Sequence, residues 1–394
     1  MLGLAANATP ASPVPGVSLS NELATWIIAI SILVSTIISI LAFFGVAQGI
    51  QLGIWKAQIE SKLRILEGYV NEVREKARGM LREAGAREPD AVIARTIDYF
   101  VVEPVSIEPT DITKRLERVL RTEEEQIERV VRAALPPGVP EERLHNIVTV
   151  LGIANALNTL YKFLRHMLLL GIKTKNAMLV AQLWMMLPFY MRIAKAYRDA
   201  TDTIEKGLPI GDAAGPLAAS RLAERLHTLT PSTEIVKDTV FSVHEYEGRR
   251  VYLVRARGPG STVGRPGEAV ERVIREVVKE PLAAIVTIDA ALKFEGEDTG
   301  LVAEGSGVAM GDPGPEKIRI ERLAVSLGVP LHAIAIKMGF EEAITTMKKE
   351  VVDGVEKAIE TALRVIREAA QPGEAVVVVG VGNTIGVGLP VPRR

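Results

Sequence analysis

The sequence predicts an α/β C-terminal domain built on an open sheet, preceded by a helical region and one N-terminal transmembrane helix. Three observations predict it. No charged residue lies between Glu22 and Lys56, the middle of the chain is charged and helically patterned, and from about Gly207 short runs of Val, Ile and Ala alternate with helical patterns. Near-continuous apolar runs of strand length suit parallel strands covered on both faces, and strand–helix alternation argues for an open sheet.

The 394 residues exceed what one compact core normally holds, so more than one domain is expected. Lys and Arg (47) almost balance Asp and Glu (48), and aromatics are scarce, so no nucleic-acid partner is expected. Cysteine is absent, which removes disulfides, thiolate catalysis and Cys-ligated metals. Abundant Glu, Arg, Ile and Val without Cys fits a heat-adapted source.

Residues 1–22 read as a flexible extracytoplasmic tail, small in side chain and dotted with Pro and Ser. Residues 23–55 are longer than the roughly 20 apolar residues that cross a bilayer. The basic n-region of a signal peptide is missing, because the first 21 residues hold no Lys or Arg. Lys56, Lys62, Arg64, Arg74 and Lys76 follow the span, so the positive-inside rule puts the N-terminus outside and the bulk of the chain in the cytoplasm. The expected localisation is the cell membrane, with the lipid bilayer as one partner.

Residues 56–206 read as a helical stalk and helical domain. Ile59, Leu63, Ile65, Leu66, Val70 and Val73 recur at helical spacing over 56–86, a pattern that either self-associates into a homo-oligomer or packs on the chain's own domain. Further helices are expected at 90–99, 111–134 and 141–170, separated at Pro104 and Pro109 and at Pro136, Pro137 and Pro140. The apolar stretch 177–190 is short for a crossing and reads as a buried helix or oligomer contact, with a re-entrant membrane segment as the alternative.

Residues 207–394 form the expected α/β domain. Strands are predicted at 251–255, 284–288, 331–336 and 375–379, with helices at 268–279, 315–326 and 341–370. Each strand ends in an unusual segment, where open sheets place ligands. The first leads to ARGPGSTVGRPGEAVE, which makes Gly258, Gly260, Gly264 and Glu268 candidate ligand-binding residues. The second ends at Asp289, a carboxylate either bonded structurally or poised for acid–base or metal chemistry. Arg255 and Arg257 are placed to pair with these acids or to bind an anion.

Two glycine-rich fragments at opposite ends of this domain each look incomplete. GDAAGPLAA begins at Gly211 and VVVVGVGNT begins at Val376. Joined in reverse order they read as a strand, a glycine turn, an acidic residue and a Gly-Pro helix start, a combination that usually builds a site. Asp212, Gly382 and Asn383 would then share one turn.

These segments carry a resemblance. RARGPGSTVGRPGEAVERVI, AAIVTIDAAL, TGLVAEGSGVAMGD and LGVPLHAIAIKM resemble successive core segments of spore germination proteases. VGVGNT and the Asp212–Pro216 segment resemble the first strand and helix start of that family and of the related hydrogenase maturation endopeptidases, in reverse chain order. The resemblance implies a circularly permuted phosphorylase/hydrolase-like domain with the break inside the family's first loop. It puts Asp212 and Asp289 on the two proposed catalytic aspartates of the germination proteases. In the maturation endopeptidases the matching carboxylates touch nickel, which implies a divalent metal at Asp212 and Asp289. The histidine ligand of that family has no match, since the EGSGVAMGD loop offers Glu304 and Asp312. Over its full length the chain also resembles an archaeal family of membrane proteins of unknown function, with the same PIGD…GPL and VGVGNT signatures.

The expected function is a membrane-anchored, peptidase-like hydrolase at the cytoplasmic face, acting on a peptide or protein substrate with paired aspartates or a metal. The other expectation is a non-catalytic oligomeric scaffold whose site is vestigial or binds a small ligand.

Overall fold

The computed structural model describes residues 21–43, 46–102, 111–311 and 314–390. The predicted tail, apart from its last two residues, lies outside the described residues, as do Pro104, Pro109 and Asp312.

The helical region opens with α1 (Asn21–Phe43) and α2 (Val46–Glu83). The predicted span 23–55 thus covers α1 and the first ten residues of α2. Between Trp26 and Ile40 the large apolar side chains of α1 stay exposed, from 69% at Trp26 to 46% at Ile37. The bundle continues with α3 (Pro89–Ile97), α4 (Ile112–Ala134), α5 (Glu141–Lys173) and α6 (Ala177–Glu205). Ile59, Leu66 and Val73 of α2 pack with Leu151 and Leu157 of α5 and with Val180 and Ala200 of α6 in one core. The helical stripe on α2 therefore serves the chain's own domain.

By length and composition, α5 and α6 are the two helices long and apolar enough to cross a membrane among the described residues. Both lend residues to the bundle core, which is where such a composition is also found in a protein interior.

The α/β domain is a mixed seven-stranded sheet. Its strands are β1 (His227–Val236), β2 (Thr239–Tyr246), β3 (Arg249–Ala256), β4 (Leu282–Leu292), β5 (Val302–Ser306), β6 (Leu331–Met338) and β7 (Ala375–Gly380), in spatial order β1-β2-β3-β7-β4-β6-β5. The predicted strands are the parallel centre, β3, β7, β4 and β6. The last strand of the chain is central, bonded to β3 on one side and β4 on the other, and every residue in it is buried. Its four valines face two cores alternately: Val376 and Val378 on one side, Val377 and Val379 on the other.

Two helices, α7 (Ala214–Arg225) and α11 (Lys349–Ala369), cover the first face. The second is covered by α8 (Pro266–Arg272), which runs on through a π turn at Val273–Val277, and by α9 (Pro315–Leu327). The helix expected over 341–370 is divided. A short α10 (Phe340–Ile344) precedes α11, and in the gap Thr346 bridges to Ile210. The antiparallel strands β1, β2 and β5 are additions to the predicted set.

Candidate functional site

The site forms beneath the start of α7, where β7 ends at Gly380 beside Ile288; the strand expected to stop at 288 runs on to Leu292, so Asp289 lies inside β4. A 3-10 turn, Gly211–Ala213, carries Asp212 into α7. This helix start lies against the strand ends so closely that Gly215 has room for no side chain. A Cβ there would overlap the carbonyl oxygens of Val381 and Ile288. Gly380 is its counterpart on β7, where a Cβ would lie 2.6 Å from the Gly215 oxygen and 2.7 Å from the Ala219 Cβ.

Beyond β7 the chain turns under Asp212. Gly382 has φ +130, which suits glycine, and its space is closed by the Asp212 carbonyl. The next amide, Asn383 N–H, donates to Asp212 Oδ2 at 2.8 Å. The two incomplete glycine fragments therefore meet as one turn, although 171 residues separate Asp212 from Asn383.

Asp289 reaches the same place from β4. It is 4% exposed and points to the face covered by α8 and α9, since Ile285 faces that side while Val286 and Ile288 face the other. Its Oδ1 accepts from Ala290 N–H at 2.7 Å and its Oδ2 from Gly311 N–H at 3.1 Å. Burial raises its pKa well above the usual carboxylate range. The charge of Asp212 pushes it the same way, while the Ala290 and Gly311 amides and then Lys317 oppose. Burial also raises Asp212, with the Asn383 amide opposing. Asp212 keeps some accessible surface, so the pair meets solvent on its side.

Asn383 links this pair to the helical region. Its Nδ2 donates to Ser261 Oγ at 2.9 Å, Thr149 Oγ1 of α5 lies 3.0 Å from the same oxygen, and Ser261 N–H donates to Asn146 Oδ1 at 3.0 Å. Sequence reasoning missed Ser261, Thr149 and Asn146. Ser261 does lie in the glycine loop singled out after β3, but nothing local marks its partners on α5.

The other candidates stand apart from the aspartates. A Cβ on Gly258 would overlap the Val387 carbonyl, one on Gly260 would come 2.9 Å from the Glu142 Cα, and one on Gly264 would overlap Thr239 Oγ1. Packing of the chain against itself accounts for all three glycines. Glu268 pairs with Arg121 of α4 at 2.6 Å, so its charge ties the two regions together. The expectation that Arg255 and Arg257 pair with the candidate acids is corrected. Arg255 Nη2 donates to the Gly388 carbonyl at 2.6 Å, and Arg257 pairs with Glu234 at 2.9 Å. The cause is strand alternation, which turns Arg255 to the sheet face opposite Asp289.

Among the described residues no three His, Asp or Glu side chains converge on a point that would hold a metal ion. Both Asp289 oxygens and one Asp212 oxygen already accept backbone N–H groups. Zinc sites normally draw three or four protein ligands, and this donor set does not fit one. It fits two neighbouring buried carboxyls, the charge of Asp212 raising the pKa of Asp289.

Comparison with known families places the chain plainly. It belongs to the DUF1512 family: residues 33–207 match the model described as "protein of unknown function (DUF1512) N-terminal domain", and residues 210–388 match "domain of unknown function (DUF1512) C-terminal". The seam between the two falls between α6 and the turn that carries Asp212. No curated protein matches the chain.

Proposed function

We propose that the chain is a membrane-anchored hydrolase of the peptidase type, with α1 as its anchor and the Asp212–Asp289 pair as its catalytic centre. One observation carries the reading: Asp212, from the start of the domain, and Asp289, from its strand β4, lie in one buried site where the charge of the first favours protonation of the second. The permuted germination-protease-like arrangement is supported by the way Gly382 and Asn383 close on Asp212.

The chemistry follows from the two environments. Asp289, the more deeply buried, holds a proton and acts as the acid. Asp212, half-buried and held by the Asn383 amide, acts as the base. Asp212 takes a proton from water as the water oxygen attacks the substrate carbonyl carbon, and Asp289 gives its proton to the carbonyl oxygen. Collapse of the tetrahedral intermediate breaks the C–N bond: Asp212 gives its proton to the leaving amine and Asp289 takes one from a diol hydroxyl, which returns both carboxyls to their starting states. The scheme runs on the two carboxyls alone.

A second reading is a non-catalytic oligomeric scaffold, favoured by the exposed apolar side chains on α6, among them Met178, Met185 and Phe189. Detergent-purified full-length protein incubated with a peptide library separates the two. The hydrolase reading expects cleavage by the wild type and loss of it in both Asp212→Asn and Asp289→Asn. Equal cleavage by all three removes the pair from the mechanism. A folded oligomer that cleaves nothing supports the scaffold.

A further inference from the structure

Phe100 and Val102 lie outside α5 and α6; the most exposed apolar side chains of those two helices gather toward the turn that joins them. Trp55 of α2 and Trp184 of α6 lie with ring centroids 6.0 Å apart, and the Arg198 guanidinium sits 5.2 Å from the Tyr69 ring centre. From Trp55 to Tyr69 and from Trp184 to Arg198 is 14 residues in each helix, so α2 and α6 run parallel and in step. At 1.5 Å per residue, Met178 lies roughly 9 Å nearer the start of α2 than Trp184 does, level with about Gly49. The start of α2 is only three residues beyond the end of α1, a reach of about 11 Å at most. The turn between α5 and α6 therefore points toward the end at which α1 joins the bundle.

That tip has the composition of an interfacial surface. Met178 is 72% exposed, Met185 63% and Leu169 55%, while Lys173 and Lys175 stand exposed at the turn itself. The Trp55–Trp184 pair lies about 9 Å behind, with Trp184 Nε1 donating to Gln58 Oε1. Paired tryptophans behind an apolar tip, with lysines at its turn, match the aromatic and basic anchoring found at membrane–water boundaries.

We propose that the α5–α6 tip is a second membrane contact, seated in the headgroup layer of the bilayer that α1 enters, with Lys173 and Lys175 favouring anionic lipid. This rests on the reading of α1 as an anchor. The tip dips and does not cross. From Ala177 to Arg192 is about 22 Å of helix, short of the roughly 30 Å hydrocarbon core, and beyond it α6 carries Lys195, Arg198 and Asp199. The far half of α5 and residues such as Ala194 and Ala200 of α6 are committed to the bundle core. Such seating would hold the Asp212–Asp289 domain at a fixed distance from the membrane, because α5 carries the Thr149 and Asn146 contacts to Ser261.

The chain has no cysteine, so a single introduced thiol is a unique label site. Full-length Met178→Cys and Met185→Cys variants are labelled with an environment-sensitive fluorophore and reconstituted into vesicles of zwitterionic and anionic phospholipid containing, in parallel samples, a shallow or a deep lipid-borne quencher. Ile32→Cys on α1 is the membrane reference. Val325→Cys on α9, where the native residue is 82% exposed, is the aqueous control. The expected result is a blue shift and strong quenching at 178 and 185, approaching that of a shallow membrane site, with none at 325. Quenching at 32 but not at 178 or 185 overturns the proposal while leaving the anchor in place. A blue shift at 178 and 185 without lipid quenching means that a second copy covers the tip, and also overturns it. An unquenched 32 label removes the anchor on which the proposal rests, and the tip proposal with it.

Discussion

Removal of residues 375–394 should unfold the α/β domain, because β7 is its central strand and also carries half of the site. The magnitude follows from burial. Val376, Val377, Val378 and Val379 are each 0% exposed. At roughly 1.5–3 kcal/mol per fully buried side chain they contribute about 6–12 kcal/mol, before the hydrogen bonds to β3 and β4 are counted. Domains are typically stable by only about 5–15 kcal/mol in total. The truncation also removes Ile385, which packs into the helical core, and the Asn383 contacts to Asp212 and Ser261. The assay is chemical denaturation of full-length and truncated protein in one detergent, followed by near-UV circular dichroism and limited proteolysis. The truncated chain should be cleaved throughout the region after Gly207 without denaturant, while the helical bundle remains helical. A cooperative transition within about 1 kcal/mol of wild type would refute the central placement of β7, and with it the physical basis for a site assembled from two ends.

Two further outcomes follow. Gly380→Ala places a Cβ 2.7 Å from that of Ala219 where ordinary contact begins near 3.4 Å, so α7 must retreat by about 0.7 Å. Overpacking of this kind costs about 1–3 kcal/mol, and a denaturation midpoint equal to wild type would mean that α7 is not seated on β7. The raised pKa of Asp289 also makes stability fall as pH rises. Below the ordinary Asp range, about 3.9, folded and unfolded chains are both protonated at this position and it contributes no penalty. Above that range the unfolded chain ionises first and binds fewer protons, and stability falls until Asp289 itself ionises. The melting temperature of Asp289→Asn should therefore gain on wild type between pH 4 and 8, whatever its constant offset. A pH-independent difference would show that Asp289 ionises normally.

The centre of the α/β domain was legible because its strands are buried on both faces and must be apolar throughout. Nothing else fits a run such as Val376–Val379. The hairpin of β1 and β2 was not, since its buried positions include Ser242 and His244, which satisfy each other at 2.8 Å and leave no apolar run. A signal was present in Glu247–Gly248, both with positive φ, the two-residue turn that joins β2 to β3. β5 is short and holds Gly305, so it reads as loop. The aspartates were legible for a different reason. A carboxylate ending an apolar strand has to be accommodated somehow, and a glycine turn without a helix start needs one from elsewhere. What held them in place was invisible, because the Thr149–Ser261–Asn383 chain joins residues 112 and 122 positions apart through side chains common on any surface.

The central claim is that Asp212 and Asp289 form one site in which burial and the charge of Asp212 keep a proton on Asp289. Isotope-edited infrared spectroscopy of protein labelled at the aspartate carboxyls measures this directly, by following the protonated C=O band with pH. The account predicts a band that persists in wild type well above the ordinary carboxylate range, retreats in Asp289→Asn to the smaller upward shift of Asp212 alone, and titrates at lower pH in Asp212→Asn once the neighbouring charge is gone. Aspartates that all ionise in the ordinary range, or a persistent band unmoved by Asp212→Asn, would contradict it.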